Sequence, residues 1–356
     1  MSKSSLFLAA AFAAATCCSA QAATYPNQES GVFTVPSFTF HTGETLENFN
    51  LGYTVLGNRA GEPVLILHGT NGGSAAMLAD GFAGELFGPG QPLDADKYFI
   101  IIPDAIGTGK SSKPSDGLKA SFPHYNYADM VLGQYRLVTE GFGVKHLRLI
   151  VGNSMGGMQT WLWTGTYPDF MDAAIPLASL PQPMSGRNWM TRRMIIDLIT
   201  GDPEYQDGNY TTQPKMAAIA NTFYNLATNG GTLHLYKLGP DGKSADAYVD
   251  KQLAAPFKKD ANDTLYQWAS SKDYDPTAGI SKIGAQVVAI NSAGDERNPQ
   301  IFGALEKAAA QNKNISFYII PESAETVGHG TTMQAKYWKQ ELVKLLERAP
   351  HRKIEE

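Results

Sequence analysis

A chain of 356 residues, 43% of them hydrophobic, is long enough to bury a substantial core, and single α/β domains reach this size, so length alone does not demand two domains. The formal net charge of -5 argues against a nucleic-acid surface. No repeats or low-complexity runs occur beyond the N-terminus.

The first segment reads as a targeting signal. Lys3 precedes the apolar stretch Leu6-Phe7-Leu8-Ala9-Ala10-Ala11-Phe12-Ala13-Ala14-Ala15, and Ala20-Gln21-Ala22 has the small residues that a signal peptidase reads. Cleavage after Ala22 is expected, giving a signal peptide over 1–22 and a periplasmic or extracellular protein. The stretch falls short of the roughly 20 residues that span a bilayer, and no other stretch approaches that length, so no stable membrane insertion is expected. Cys17 and Cys18 would leave with the signal, and the mature protein would hold no disulfide. Ala14-Ala15-Thr16 before Cys17 is a poor match for lipoprotein processing.

Short alternating runs follow, Gly31-Val32-Phe33-Thr34-Val35 and Leu51-Gly52-Tyr53-Thr54-Val55, and predict antiparallel strands at the start of a sheet. Parallel strands are predicted near Val64 to Leu67, Tyr98 to Ile102, Leu147 to Val151, Ala174 to Leu177, Val287 to Ile290 and Ser316 to Ile320, with helices between them covering both faces. Between about 181 and 278 the strand pattern stops, and an aromatic- and methionine-rich helical lid takes its place. The fold class is therefore α/β, with a first core part over 23–180, the lid over 181–278 and a second core part over 279–356. In the lid, Trp189, Met190, Met194, Phe223, Tyr224 and Trp268 either line an acyl pocket or pack the lid on itself, and Arg187, Arg192 and Arg193 either meet a substrate carboxylate or are solvated.

The strand ending at Val151 runs into Gly152-Asn153-Ser154-Met155-Gly156, and a helix-like stretch follows as far as Tyr167-Pro168, where proline stops it. A serine between two glycines at a strand-to-helix junction is the pattern of a nucleophile elbow. Ser154 must turn the chain in one residue, and a side chain at either glycine would crowd the turn. A serine hydroxyl needs a base to take its proton. His329 fits, because Glu325-Thr326-Val327-Gly328-His329-Gly330 lies between the last predicted strand and an amphipathic tail, where a loop reaches the carboxyl edge of the sheet. The tail is expected to open with a capping box at Thr331-Thr332-Met333-Gln334.

The carboxylate that fixes the imidazole is expected to be Asp295, in Asn291-Ser292-Ala293-Gly294-Asp295-Glu296 after a predicted strand, with Glu296 its competitor. The strand at Ala174–Leu177 ends with no acid, which favours Asp295. Backbone N–H groups of Thr70 and Met155 are the expected oxyanion donors, the first from the glycine-rich loop His68-Gly69-Thr70-Asn71-Gly72-Gly73. His68 is expected to brace that loop. His41, His124, His146, His234 and His351 have no comparable context and read as surface or packing residues.

These residues resemble the α/β-hydrolase superfamily and, within it, the homoserine O-acetyltransferase-like branch. The similarity runs from about Asn50 to Leu346. It is carried by Val151 to Gln159, by Tyr167-Pro168-Asp169, and by Asp202-Pro203-Glu204-Tyr205 with Asp207-Gly208-Asn209-Tyr210 in the lid. The loop Ile102-Pro103-Asp104-Ala105-Ile106-Gly107-Thr108-Gly109-Lys110-Ser111-Ser112 departs from the long insertion of the acetyltransferases and looks like that of ordinary hydrolases. The expected function is an exported serine hydrolase that cleaves a small-molecule ester or related acyl substrate through an acyl-enzyme, with no cofactor and no metal. The alternatives are an acyltransferase of the homoserine O-acetyltransferase type and an inactive secreted binding protein on the same scaffold.

Overall fold

The computed structural model describes residues 24–352, so the signal expected over 1–22 lies outside the described residues. Eight strands form one sheet in the order β1-β2-β4-β3-β5-β6-β7-β8. The strands are β1 (Glu29–Thr39), β2 (Thr45–Gly57), β3 (Glu62–Leu67), β4 (Tyr98–Pro103), β5 (Leu147–Asn153), β6 (Met171–Leu177), β7 (Gln286–Ser292) and β8 (Ile315–Ile320). β1 and β2 pair antiparallel, as do β2 and β4, and every later pairing is parallel. Parallel strands need helical crossovers on both faces, and for that reason β5 and β6 are buried along their whole length.

Alternation along each strand feeds two cores. Val64 and Ile66 of β3 point into one, with Phe82, Trp338, Leu342 and Leu345, while Leu65 and Leu67 point into the other, with Trp161 and Trp163. The helices are α1 (Ala83–Leu86), α2 (Tyr127–Arg136), α3 (Met155–Thr166), α4 (Gly186–Thr200), α5 (Lys215–Thr228), α6 (Thr232–Leu238), α7 (Gly242–Ala254), α8 (Ala261–Ala269), α9 (Ala304–Gln311) and α10 (Lys339–Arg348). Helices α4 to α8 all fall between β6 and β7 and form the lid. Where the chain leaves the core and returns to it, Met184 N–H donates to the Tyr274 carbonyl at 2.9 Å. A third apolar cluster joins lid residues such as Ile195, Tyr224 and Trp268 to Phe38, Phe49 and Met155 of the core.

The tail differs from its expected form. Residues Gly328–Met333 and Ala335–Tyr337 make two 3-10 turns, and α10 begins only at Lys339, after Trp338, without a side-chain cap. The threonines that resemble a capping box are used elsewhere. Thr331 Oγ1 accepts the Val327 N–H at 2.9 Å, and Thr332 Oγ1 donates to Asn153 Oδ1 at 2.6 Å, which ties the His329 loop to the end of β5. Among the described residues, no helix is long and apolar enough to cross a membrane.

Candidate active site

Ser154 sits between β5 and α3 at φ 56° and ψ -111°, a conformation that non-glycine residues rarely adopt. The strain is held by surrounding structure. Ser154 N–H donates to Leu177 O at 2.9 Å, Met158 N–H donates to Ser154 O at 2.9 Å, and Gly156 N–H donates to His68 O at 3.1 Å. A Cβ at Gly152 would collide with the Gly156 carbonyl, and one at Gly156 with the Leu67 carbonyl, so the close approach of helix to sheet requires glycine on both sides of the serine.

Three side chains from three loops converge here. Ser154 Oγ lies 2.8 Å from His329 Nε2, and His329 Nδ1 lies 2.8 Å from Asp295 Oδ2. A carboxylate can only accept from Nδ1, so the proton sits there and Nε2 turns its lone pair towards the serine hydroxyl. Glu296 faces away and pairs with Arg187 at 2.9 Å. Asn298 was not anticipated from the sequence, although an asparagine three residues beyond the acid is the available signal. Its Nδ2 donates to Asp295 Oδ2 at 2.9 Å, and the N–H groups of Arg297 and Asn298 reach Asp295 Oδ1 at 2.9 and 3.3 Å.

Burial pushes the Asp295 carboxyl up, but the neighbouring imidazole and these donors outweigh it and hold it below its ordinary range. His329 is also held below its ordinary value of 6.5, first by burial and then by the nearby Arg297 and Arg192 cations, against the pull of Asp295. The imidazole is therefore neutral at pH 7 and able to take a proton. Arg297 stacks its guanidinium 4.4 Å above the Tyr224 ring and donates from Nε to Thr228 Oγ1 at 3.0 Å. A positive charge beside the ring disfavours imidazolium, so its removal must raise the histidine pKa. In Arg297→Met the acid limb of a kcat/KM profile is expected to move to higher pH, checked by steady-state rates across pH 4 to 8 with about 0.5-unit spacing; an unmoved limb would contradict it.

The loop after β3 brings Gly69 against the serine, since a Cβ at Gly69 would lie 3.5 Å from Ser154 Cβ. Thr70 follows in this loop, and Met155 is the first residue of α3. Among the described residues, neither backbone N–H donates to a protein acceptor. His68 is buried and braces the loop: its Nδ1 lies 2.8 Å from Gly69 O, and its Nε2 accepts the Ala105 N–H at 2.9 Å. Burial keeps it below the ordinary histidine value, hence neutral.

The lid aromatics divide. Met190, Met194 and Phe223, read as candidates for an acyl pocket, are instead exposed on the outside of the lid at 67%, 52% and 59%. Each faces outward because the opposite side of its helix is taken up by the core contacts of Ile195, Ile199, Ala220 and Tyr224. Tyr224 and Trp268 are buried, with ring centroids 4.5 Å apart. Of the three lid arginines, Arg187 pairs with Glu296 and Arg193 with Asp197 at the surface, whereas Arg192 is buried, donating to Asn188, Tyr127 and Ser271. A cavity of about 670 Å³ opens beside the acid, lined by Leu180, Met184, Tyr274, Asp295, Arg297 and Phe302 among others, but not by Ser154 or His329.

The family described as an alpha/beta hydrolase fold matches residues 62–228. A homoserine O-acetyltransferase from Haemophilus influenzae (strain 86-028NP) is 30% identical over 283 residues, covering 71% of this chain and 78% of that protein. The chain belongs to the α/β-hydrolase superfamily, in its homoserine O-acetyltransferase-like branch. The chain is also similar to an ethyl acetate hydrolase from Pseudomonas veronii, 38% identical over 135 residues that cover 37% of this chain and 38% of that one. Among solved structures, an acetylester hydrolase from Corynebacterium glutamicum shares this α/β-hydrolase fold, with a TM-score of 0.77 at 20% identity over 90% of this chain and 96% of that one.

Proposed function

We propose that this α/β-hydrolase is an exported serine hydrolase that cleaves a small acyl ester through an acyl-enzyme. The observation that carries the reading is the unbroken relay from Ser154 Oγ through His329 to Asp295, with each link at 2.8 Å. Ser154 Oγ attacks the acyl carbon while its proton passes to His329 Nε2, and Asp295 steadies the imidazolium. The oxyanion lies towards the N–H groups of Thr70 and Met155. Collapse expels the alcohol, which takes the proton from His329, and leaves the acyl group on Ser154. Water then enters, gives its proton to His329, and releases the acid as Ser154 recovers its hydrogen.

Two features support water as the acyl acceptor. The stretch from Ile102 to Ser112 resembles that of ordinary hydrolases, and an export leader over 1–22 would place the protein where acetyl-CoA is not expected to be supplied. The relative named ethyl acetate hydrolase adds weight. Acetyl transfer to an alcohol is the second reading, favoured by the extent of the match to the homoserine O-acetyltransferase. The two share the relay, so the lid decides between them, by how well it excludes water and seats a second substrate. The test is to incubate the enzyme with short-chain acetate esters in buffer and, separately, with acetyl-CoA and homoserine. Saturable ester hydrolysis is expected. Efficient O-acetylhomoserine formation beside negligible ester cleavage would overturn the hydrolase reading.

A further inference from the structure

The loop that carries Thr70 is gripped from both sides. Beneath it, His68 ties Gly69 to Ala105. Above it stands the lid. Asn71, the residue after Thr70, has φ 58°, the left-handed conformation that asparagine adopts more readily than most side chains. Both of its peptide groups are engaged by the lid. Its N–H points to Gln267 Oε1 at 3.4 Å, and its carbonyl accepts from Lys259 Nζ at 2.8 Å.

Gln267 is fully buried on α8, and its amide has a second task. Nε2 donates to the Ile106 carbonyl and lies 3.2 Å from the Tyr125 hydroxyl. A carbonyl can only accept and an N–H can only donate, so the two partners fix which end of the amide faces which loop. Ile106 adjoins Ala105, whose N–H is held by His68, so one lid amide and one core imidazole clamp the same pair of loops. Gly107 records how close the approach is: at φ 86°, a Cβ there would run into the Tyr125 hydroxyl and crowd Gln267 Nε2.

We propose that Gln267, assisted by Lys259, is a positioning residue for the oxyanion hole, so that docking of α8 and alignment of the Thr70 N–H are one event. The proposal rests on the acyl-enzyme reading above. The magnitudes make it consequential: loss of one oxyanion donor costs about 10²- to 10³-fold in kcat, and misplacement by about 1 Å costs about 10²-fold. Because the contacts of Gln267 go to Asn71, Ile106 and Tyr125, its removal is expected to alter stabilisation of the transition state more than ground-state binding.

The variant is Gln267→Met, close in shape but unable to hold either loop, made beside Lys259→Met at an exposed position. Each is assayed for ester hydrolysis and for inhibition by a trifluoromethyl ketone, whose adduct with a serine hydroxyl places an oxyanion in the hole. In Gln267→Met, kcat is expected to fall about 10²-fold with KM within about threefold, and inhibitor affinity to weaken by about the same factor as kcat/KM. Lys259→Met should move both in the same direction by less. Wild-type-like kcat, or a fall in kcat/KM with inhibitor affinity unchanged, overturns the proposal. If Gln267→Met loses its cooperative unfolding transition, Lys259→Met decides, and no change in either measurement overturns it. A wild-type enzyme that neither cleaves esters nor binds the ketone sinks the hydrolase reading instead.

Discussion

Ser154→Ala is expected to lose on the order of 10⁶-fold in kcat for ester hydrolysis, the scale on which a triad nucleophile matters in serine hydrolases. The loss has a specific geometric origin. The elbow holds Oγ 2.8 Å from His329 Nε2, and among the described residues no other hydroxyl is bonded to that nitrogen. Alanine tolerates the elbow no worse than serine, because the backbone angles are imposed by the bonds from Ser154 to Leu177 and Met158. The variant should therefore unfold at a denaturant midpoint near that of the wild type. Turnover by purified, cooperatively unfolding Ser154→Ala at more than about a hundredth of the wild-type rate would remove Ser154 from the mechanism.

Asp295→Asn is expected to cost about 10⁴-fold in kcat, while Glu296→Gln stays within about threefold of wild type. The two acids are adjacent in sequence but not in environment. Asp295 is buried, accepts from the His329 ring and from three further N–H groups, and fixes the proton on Nδ1. An asparagine there can present its NH₂ to Nδ1, which moves the proton to Nε2 and leaves the serine without an acceptor. Glu296 makes an ion pair with an Arg187 side chain that is 67% exposed, where such pairs are worth little. Steady-state kinetics on the two variants decide the matter, and the reverse order would make Glu296 the acid.

The strands from β3 to β8 were legible because each is a short apolar run bounded by loops, the first two because their side chains alternate, and the serine because its two glycines sit where such a run meets a helix. Asp295 and His329 could be located because each lies in the loop just beyond a predicted strand. What the sequence could not disclose are contacts made across long separations. The Gln267–Asn71 contact spans 196 positions, and the Thr332–Asn153 bond 179. Neither side chain carries a local signal of its partner. The tail misled for a related reason: Thr331 to Gln334 has capping-box spacing, but its hydroxyls are drawn to Val327 and Asn153, and the helix starts later. In the lid, helices packed on one side only leave apolar residues such as Met190 outside, and composition alone cannot separate the two faces.

The bond between Met184 and Tyr274 sets how the sheet meets the lid. It brings the two ends of the inserted segment side by side, so the sheet meets the lid as though it were a short hairpin, however many residues lie between. Closing a longer or shorter excursion across that gap changes the loop entropy only slowly, by about 0.6 kcal/mol per doubling of length. The segment between Met184 and Tyr274 can therefore change length without disturbing the pairing of β6 with β7. A junction of this kind leaves the strands beneath it free of whatever rearrangement the inserted helices undergo.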